Sequence, residues 1–125
     1  MEMVFACGAC GRALTAPLRE LPAQLPPQTE DGQDFVPRGY FTRSDGEYFT
    51  GTEGRLVVSL KDVRGTRHHA DLHRLNGCCG LDGLDGPNTV CGCGAVVGTE
   101  KSDCWMAHAL LLEPGPTTAT AVPPG

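Results

Sequence analysis

The seven cysteines are the residues of this chain whose type and spacing most clearly indicate chemistry. Four of them form two close pairs, Cys7 with Cys10 and Cys91 with Cys93. A glycine follows the second cysteine of each pair, and glycine tolerates the positive φ of a tight turn around a metal. Two such turns facing each other supply four thiolates, the closed tetrahedral shell of a structural zinc ion. The sequence therefore predicts a zinc site formed by Cys7, Cys10, Cys91 and Cys93.

This arrangement resembles the zinc-ribbon family, in which two cysteine turns, called knuckles, lie on two hairpins. The resemblance covers the two knuckles and their neighbouring strands rather than the whole chain. The first knuckle matches the C-x-x-C-G pattern, whereas the second has one residue between its cysteines instead of two. The resemblance implies a structural zinc and a β-rich fold. The alternative for the shortened pair is that one cysteine is only a small buried apolar side chain.

Three cysteines remain, Cys78, Cys79 and Cys104, and together with His69 they form a possible second zinc site. A zinc ion with three protein ligands keeps a water molecule that it can activate for hydrolysis. His73 is an alternative fourth ligand. The other interpretation is that Cys78 or Cys79 joins the first site or packs in the core.

The same region resembles an uncharacterised family of small cysteine-rich actinobacterial proteins. The resemblance is carried by His68-His69, by residues 77–88 and by Asp103-Cys104. It implies a shared fold and no particular activity. Within this region the spacing of Asp82 and Asp85 does not match a calcium loop and favours Asx turns instead.

The start of the chain has no basic and apolar signal sequence, and no apolar run reaches the roughly 20 residues of a membrane span. We therefore expect a cytoplasmic protein that does not enter a membrane. Thiols stay reduced in that compartment, so clustered cysteines favour metal binding over disulfides. An odd number of cysteines also argues against a complete disulfide framework, which stays the alternative.

The formal net charge of −5 makes nucleic acid an unlikely partner, because binding to phosphates requires a basic surface. A mildly basic stretch at residues 64–74 keeps a nucleic-acid-binding ribbon as a minor hypothesis. The expected partner is a protein.

The elements that must position the cysteines are short, because the chain contains 17 glycines and 10 prolines. The pattern predicts a mainly β fold: a small antiparallel β domain over residues 1–113 with little helix. Strands are expected at 39–43, 47–50, 55–60 and 95–99, and one helical turn at 70–75. Residues 77–94 are expected to be irregular, 105–113 to be strand or helix, and 114–125 to be a disordered tail.

No catalytic residue can be assigned, because the chain lacks a nucleophile elbow, a phosphate-binding glycine loop and a redox C-x-x-C at a helix start. The leading hypothesis is a non-enzymatic binding or regulatory module with a structural zinc, contacting a protein through the exposed members of the aromatic set Tyr40, Phe41, Tyr48 and Phe49. At least half of these four are expected in the core, because side chains alternate between the two faces of a strand. The alternative is a zinc-dependent hydrolase or modifying enzyme at the second cysteine cluster. Its nearest candidate base is Asp103.

Overall fold

The structure, a computed structural model, describes residues 2–123. These residues form nine short strands, in the order β1 Glu2–Cys7, β2 Arg19–Glu20, β3 Tyr40–Arg43, β4 Leu56–Val58, β5 Thr66–His68, β6 Thr89–Cys91, β7 Val96–Lys101, β8 Ala109–Leu112 and β9 Thr117–Val122. Single turns of 3₁₀ helix cover Leu60–Asp62 and Leu72–Arg74, and residues 2–123 contain no α-helix. The prediction of a mainly β fold with little helix is confirmed.

The strands form two sheets. Seven strands make one sheet in the order β2-β3-β4-β8-β7-β6-β5, in which only the short β2–β3 pair is parallel. The other sheet is the antiparallel pair of β1 and β9. Within residues 2–123 the first and last strands therefore lie side by side, and β7 lies between β6 and β8, the strand that carries the central apolar residues.

The central strand β8 is buried on both faces of the large sheet. Leu110 and Leu112 pack into one core cluster with Phe5 and Phe41, whose rings meet edge to face at 5.0 Å. Ala109 and Leu111 point to the other side and pack into a second core cluster. A strand covered on both faces shows no alternation of polar and apolar residues. For this reason the sequence did not distinguish a strand from a helix at 105–113.

The predicted disordered tail at 114–125 is wrong for most of its length, because β9 at Thr117–Val122 pairs with the whole of β1. Alternating threonine and alanine suit a half-exposed strand, although the neighbouring prolines and glycines hid this pattern. Pro124 and Gly125 lie outside the described residues.

Three other segments can be compared with the sequence prediction. The helical turn expected at 70–75 is confirmed at Leu72–Arg74. The strand expected at 47–50 is wrong: these residues form a turn, and β3 pairs instead with β2 and β4. The irregular segment expected at 77–94 is interrupted by β6, which ends in Cys91.

Candidate metal centre

The first knuckle begins where β1 ends. The amide of Cys7 donates to the carbonyl of Arg12 at 2.9 Å, and the amide of Gly11 donates to the carbonyl of Cys7 at 2.8 Å. Gly11 has a φ of 78°, which a residue with a side chain rarely adopts. These bonds close the chain into a tight loop that brings Cys7 and Cys10 to the same side.

The second knuckle joins β6 to β7 and repeats this pattern with one residue fewer. The amide of Cys91 donates to the carbonyl of Ala95, and the amide of Gly94 donates to the carbonyl of Cys91, both at 2.8 Å. Gly94 has a φ of 99°, in the role of Gly11. The shortened C-G-C spacing therefore forms a complete knuckle, and Cys93 is correctly placed beside Cys91.

The two knuckles bring all four predicted cysteines of the first site together. The Sγ atoms of Cys7 and Cys93 lie 3.7 Å apart, those of Cys10 and Cys91 lie 3.6 Å apart, and the four sulfur atoms lie within 4.8 Å of one another. A tetrahedral ion with bonds of about 2.3 Å to sulfur requires sulfur atoms about 3.8 Å apart. A disulfide requires about 2.05 Å. The observed spacing fits a shared metal ion.

Each knuckle contributes one buried and one exposed cysteine. Cys7 and Cys91 are buried, whereas Cys10 and Cys93 reach the surface. Burial raises the pKa of Cys7, but the amides of Cys10 and Ala9 and the neighbouring thiols outweigh it and lower this pKa to about 7. The amide of Cys93 lowers the pKa of Cys91, but burial and the three surrounding thiols raise it to about 11. Amides directed at sulfur stabilise the thiolate form, which is the form that binds metal.

Two arginines beside the site were not identified from the sequence. A Cβ atom on Gly92 would lie 2.5 Å from the Nη1 atom of Arg12, so the guanidinium covers the second knuckle. The Nη1 atom of Arg67 donates to the carbonyl of Cys91 at 3.5 Å. Four thiolates around one divalent ion would carry a net charge of −2, which both arginines would offset. The glycine between the two cysteines gives Arg12 the space it occupies.

The second predicted cluster also forms, but without its histidine. The Sγ atoms of Cys78, Cys79 and Cys104 lie within 4.8 Å of one another, and all three residues are exposed. His69 does not belong to this group, and its Nδ1 atom instead accepts a hydrogen bond from the amide of Asp71 at 3.0 Å. The prediction of His69 as a ligand was based on residue type alone, and the chain directs its side chain into a local turn.

The residue that organises this cluster is Asp103, which is fully buried. Its carboxylate accepts hydrogen bonds from the amides of Cys78, Cys79 and Cys104 at 2.8–3.0 Å and from the indole of Trp105 at 2.9 Å. The amides of Cys79 and Cys78 are the main cause that holds the pKa of Asp103 far below its usual range. Its lone pairs are engaged by these donors, so the carboxylate is positioned to hold the loops rather than to act as a base.

Two glycines allow the cysteine loop to approach Asp103. A Cβ atom on Gly77 would collide with the carbonyl of Gly80, and one on Gly80 would collide with the carbonyl of Ser102. Ser102 also exchanges hydrogen bonds with the loop, because its amide donates to Leu81 and its hydroxyl accepts from the amide of Leu81. The glycine-rich run thus places Cys78 and Cys79 against Cys104.

The remaining histidines and aspartates of this region have structural roles. The Nε2 atom of His108 lies 2.8 Å from the carbonyl of Asp103, and that of His68 lies 3.2 Å from the carboxylate of Glu100. The His73 side chain is exposed and lies 3.3 Å from the carboxylate of Asp71. The predicted Asx turn at Asp82 is confirmed, since its Oδ1 atom accepts from the amide of Leu84.

A groove lies beside the second cluster and is lined by side chains that include Tyr48, Phe49, Leu84, Lys101 and Trp105. It has a volume of about 420 Å³. Trp105 is 53% exposed and Leu84 is 68% exposed, so two large apolar side chains at this groove are open to solvent. The Nζ atom of Lys101 lies 5.8 Å from the centre of the Phe49 ring, and burial lowers its pKa.

The aromatic surface predicted for protein contacts is largely part of the core. Phe41 and Phe49 are buried, and the hydroxyl of Tyr48 accepts a hydrogen bond from the amide of Ala107. Tyr40 packs at the edge of the second core cluster. In the sequence these residues form two adjacent pairs flanked by glycine and polar residues, a pattern that does not show which elements cover them. The exposed aromatic residue is Trp105.

Comparisons with protein-family models, curated proteins and solved structures found no match. Within residues 2–123 no helix has the length and apolar character needed to cross a membrane. The geometry of the described residues provides two groups of cysteines able to hold a metal ion.

Proposed function

We propose that this protein is a non-enzymatic binding module stabilised by a structural zinc ion, which Cys7, Cys10, Cys91 and Cys93 coordinate. The observation that carries the proposal is the meeting of two matched knuckles with sulfur atoms at 3.6 and 3.7 Å. Four thiolates complete a tetrahedral shell and exclude water, which is the arrangement of structural rather than catalytic zinc.

The positions of the knuckles support a structural role. One knuckle follows β1 in the two-stranded sheet, and the other joins β6 and β7 in the seven-stranded sheet. The ion therefore fastens the two sheets to each other and closes a long loop of chain, which opposes unfolding. Zinc-finger peptides gain about 10–16 kcal/mol from zinc at neutral pH, so the ion is a major source of stability.

The resemblance of the knuckles to zinc ribbons supports zinc over iron, which tetrahedral thiolates also bind. All seven cysteines are unpaired in the structure, as metal binding requires. We accordingly place the protein in the reducing cytoplasm, where such thiols persist.

The groove beside Trp105 is the surface that we assign to a protein partner. Its exposed apolar side chains, Trp105 and Leu84, flank a volume that accommodates a large side chain. Tryptophan and tyrosine are enriched where interfaces derive their binding energy. The expected occupant is a protein segment that inserts an apolar side chain between Leu84 and Trp105.

The hydrolase alternative has a specific weakness. A zinc hydrolase at the second cluster needs a base next to its metal-bound water. Asp103, the base expected from the sequence, is buried and engaged by four N–H donors. The structure thus favours the binding module.

The zinc proposal is tested by counting metal ions with native mass spectrometry on protein purified under reducing conditions. The variant Cys10→Ser removes one ligand from an exposed position, so that its loss of zinc reflects coordination rather than core packing. Cys104→Ser is the matched control, because Cys104 is an equally exposed cysteine outside the four-cysteine site. We expect the tightly held zinc to disappear only in Cys10→Ser. A wild-type chain that binds no zinc contradicts the proposal.

The groove is tested with Leu84→Asp and its control Leu72→Asp. Leu72 is 76% exposed and is not among the residues that line the groove, so the control matches the change in charge and exposure. Cross-linking in a cell extract identifies the proteins that wild type captures. Capture that Leu84→Asp abolishes and Leu72→Asp preserves supports the groove, and equal capture by both variants contradicts it.

A further inference from the structure

Cys78, Cys79 and Cys104 form a group that the structural zinc does not use. Their Sγ atoms lie within 4.8 Å of one another, and all three residues are exposed. Cys78 and Cys79 come from the loop between Leu72–Arg74 and β6, whereas Cys104 comes from the turn after β7. Thiols from separate segments have therefore been brought together at the surface.

The grouping is held by a specific scaffold. The carboxylate of Asp103 accepts hydrogen bonds from the amides of all three cysteines, so one side chain connects the two segments. Gly80 leaves no room for a side chain against Ser102, whose hydroxyl holds the amide of Leu81. These contacts fix the backbone of each cysteine and place the three sulfur atoms next to one another, and preorganised metal sites are held by such surrounding hydrogen bonds.

The three thiol groups determine which kind of ion the cluster would bind. Thiolates prefer soft or borderline cations, of which Zn²⁺ and Cu⁺ are the common biological examples. A three-coordinate ion with bonds of about 2.3 Å would hold its sulfur atoms about 4.0 Å apart, within the observed limit. The buried negative charge of Asp103 next to the cysteines also favours a cation over an anion.

The surrounding side chains do not complete a fourth ligand. The carboxylate of Asp103 is engaged by N–H donors, His69 accepts the amide of Asp71, and the Nε2 atom of His108 lies 2.8 Å from a backbone carbonyl. In the part of the chain that the structure describes, the group contains three cysteines and no other ligand. Because the cysteines are exposed, the fourth position faces solvent.

We propose that Cys78, Cys79 and Cys104 form a second metal site that binds a thiophilic cation, Zn²⁺ or Cu⁺, through three thiolates with an open and exchangeable fourth position. This site is chemically distinct from the closed four-cysteine site. It can release its ion or accept an external ligand without unfolding the protein. The proposal does not depend on the structural zinc, because the two sites share no residue.

The test measures metal binding to the intact chain by native mass spectrometry, with Zn²⁺ alone and then with Cu⁺ alone under anaerobic, reducing conditions. Wild type is expected to bind two zinc ions, and Cys79→Ser and Cys104→Ser are expected to bind one each while staying folded by circular dichroism. His69→Ala is the matched control and is expected to keep both ions. Only the ion at the exposed cluster is expected to leave when a chelator is added.

Trp105 provides an independent readout, because it is the only tryptophan, follows Cys104 directly and donates to the carboxylate of Asp103. Addition of the second metal equivalent is expected to change its emission in wild type and in His69→Ala, but not in Cys104→Ser. The metal that produces this change at the lower concentration identifies the preferred ion.

Four outcomes would overturn the proposal. Wild type that takes up no Cu⁺ and saturates with one zinc ion, which Cys104→Ser retains, lacks the second site. Cys79→Ser that still binds two ions places the second ion elsewhere. Loss of the second ion in His69→Ala shows a fourth protein ligand and removes the open position. A dimer that forms only when metal is bound shows that a second copy of the chain fills the fourth coordination position. Failure of the structural zinc would look different, since wild type would then bind one ion that Cys104→Ser loses.

Discussion

The sulfur atoms of Cys10 and Cys91 lie 3.6 Å apart, although 81 positions separate the two residues in the sequence. One belongs to the loop after β1, and the other ends β6 in the larger sheet. A metal ion bound between them would therefore hold the two sheets together rather than a local turn. This relationship predicts that zinc loss and unfolding are coupled.

The first prediction concerns stability. Cys10→Ser removes an exposed ligand of the first site, so that the ion is lost or held weakly. We expect the free energy of unfolding to fall by at least about 4 kcal/mol. For a chain of this size that corresponds to a melting temperature lower by roughly 15 °C. Thermal unfolding followed by circular dichroism, in parallel with zinc analysis, measures both quantities.

Cys104→Ser controls for the loss of an exposed thiol and is expected to change the melting temperature little. If both serine variants melt together with wild type, the zinc does not hold the sheets and the coupling is refuted.

A second prediction concerns the loop of the second cluster. Gly80→Ala places a methyl group against the backbone carbonyl of Ser102, which cannot rotate away as a side chain could. We expect the loop to shift and the second metal to be lost, with the first zinc retained. Gly115→Ala, where an added Cβ meets nothing within 4 Å, is the control. Native mass spectrometry of both variants counts the bound ions, and two ions bound by Gly80→Ala would contradict the prediction.

A third prediction concerns Asp103. Asp103→Asn keeps the shape of the side chain but replaces one acceptor oxygen with an N–H₂ group, which cannot accept from an amide or from the indole of Trp105. Loss of such a positioning residue typically weakens metal binding by about 10–100-fold. Titration followed by Trp105 emission measures the affinity of the second site.

Asp45→Asn is the matched control for Asp103→Asn, because Asp45 is exposed and its single bond to the amide of Glu47 survives in asparagine. An unchanged affinity in Asp103→Asn would show that the cysteines do not need the carboxylate to hold them.

A fourth prediction concerns β9. Removal of residues 114–125 deletes the partner of β1 and the carbonyl of Pro116, which accepts the amide of Gly8 inside the first knuckle. Since each hydrogen bond contributes about 1 kcal/mol, we expect a loss of at least about 3 kcal/mol and weaker zinc binding. Denaturant unfolding with zinc present measures the loss. Removal of residues 124–125 alone is the control, and equal stability of the two truncated chains would show that β9 contributes nothing.

Part of this picture was predictable because it is local. The C-x-x-C-G pattern specifies its own turn, since Gly11 supplies the positive φ and the cysteines supply the sulfur atoms. The equivalence of the second pair was also visible, because Gly94 follows Cys93 as Gly11 follows Cys10. Strands β4 and β7 carry enough β-branched residues to be recognised.

The tertiary structure decided what depends on distant neighbours. Strand β9 is stable only because β1 lies beside it, and a weak threonine and alanine pattern cannot reveal that partner. Similarly, His69 and Asp103 look like equally plausible functional residues in the sequence. Only the fold shows that Asp103 is buried against three cysteine amides while His69 bonds to its own turn.

The capacity of the cysteines to hold a metal ion could be predicted from the residues alone, because thiol type, pair spacing and the following glycines are properties of short segments. The division of the cysteines into four and three was also predicted, but only the fold excludes the alternative that Cys78 or Cys79 joins the first group, and only the fold shows that the group of three is exposed. The physical reason is that sequence spacing sets the shape of each turn, whereas the sheets and the buried carboxylate of Asp103 set which turns face each other.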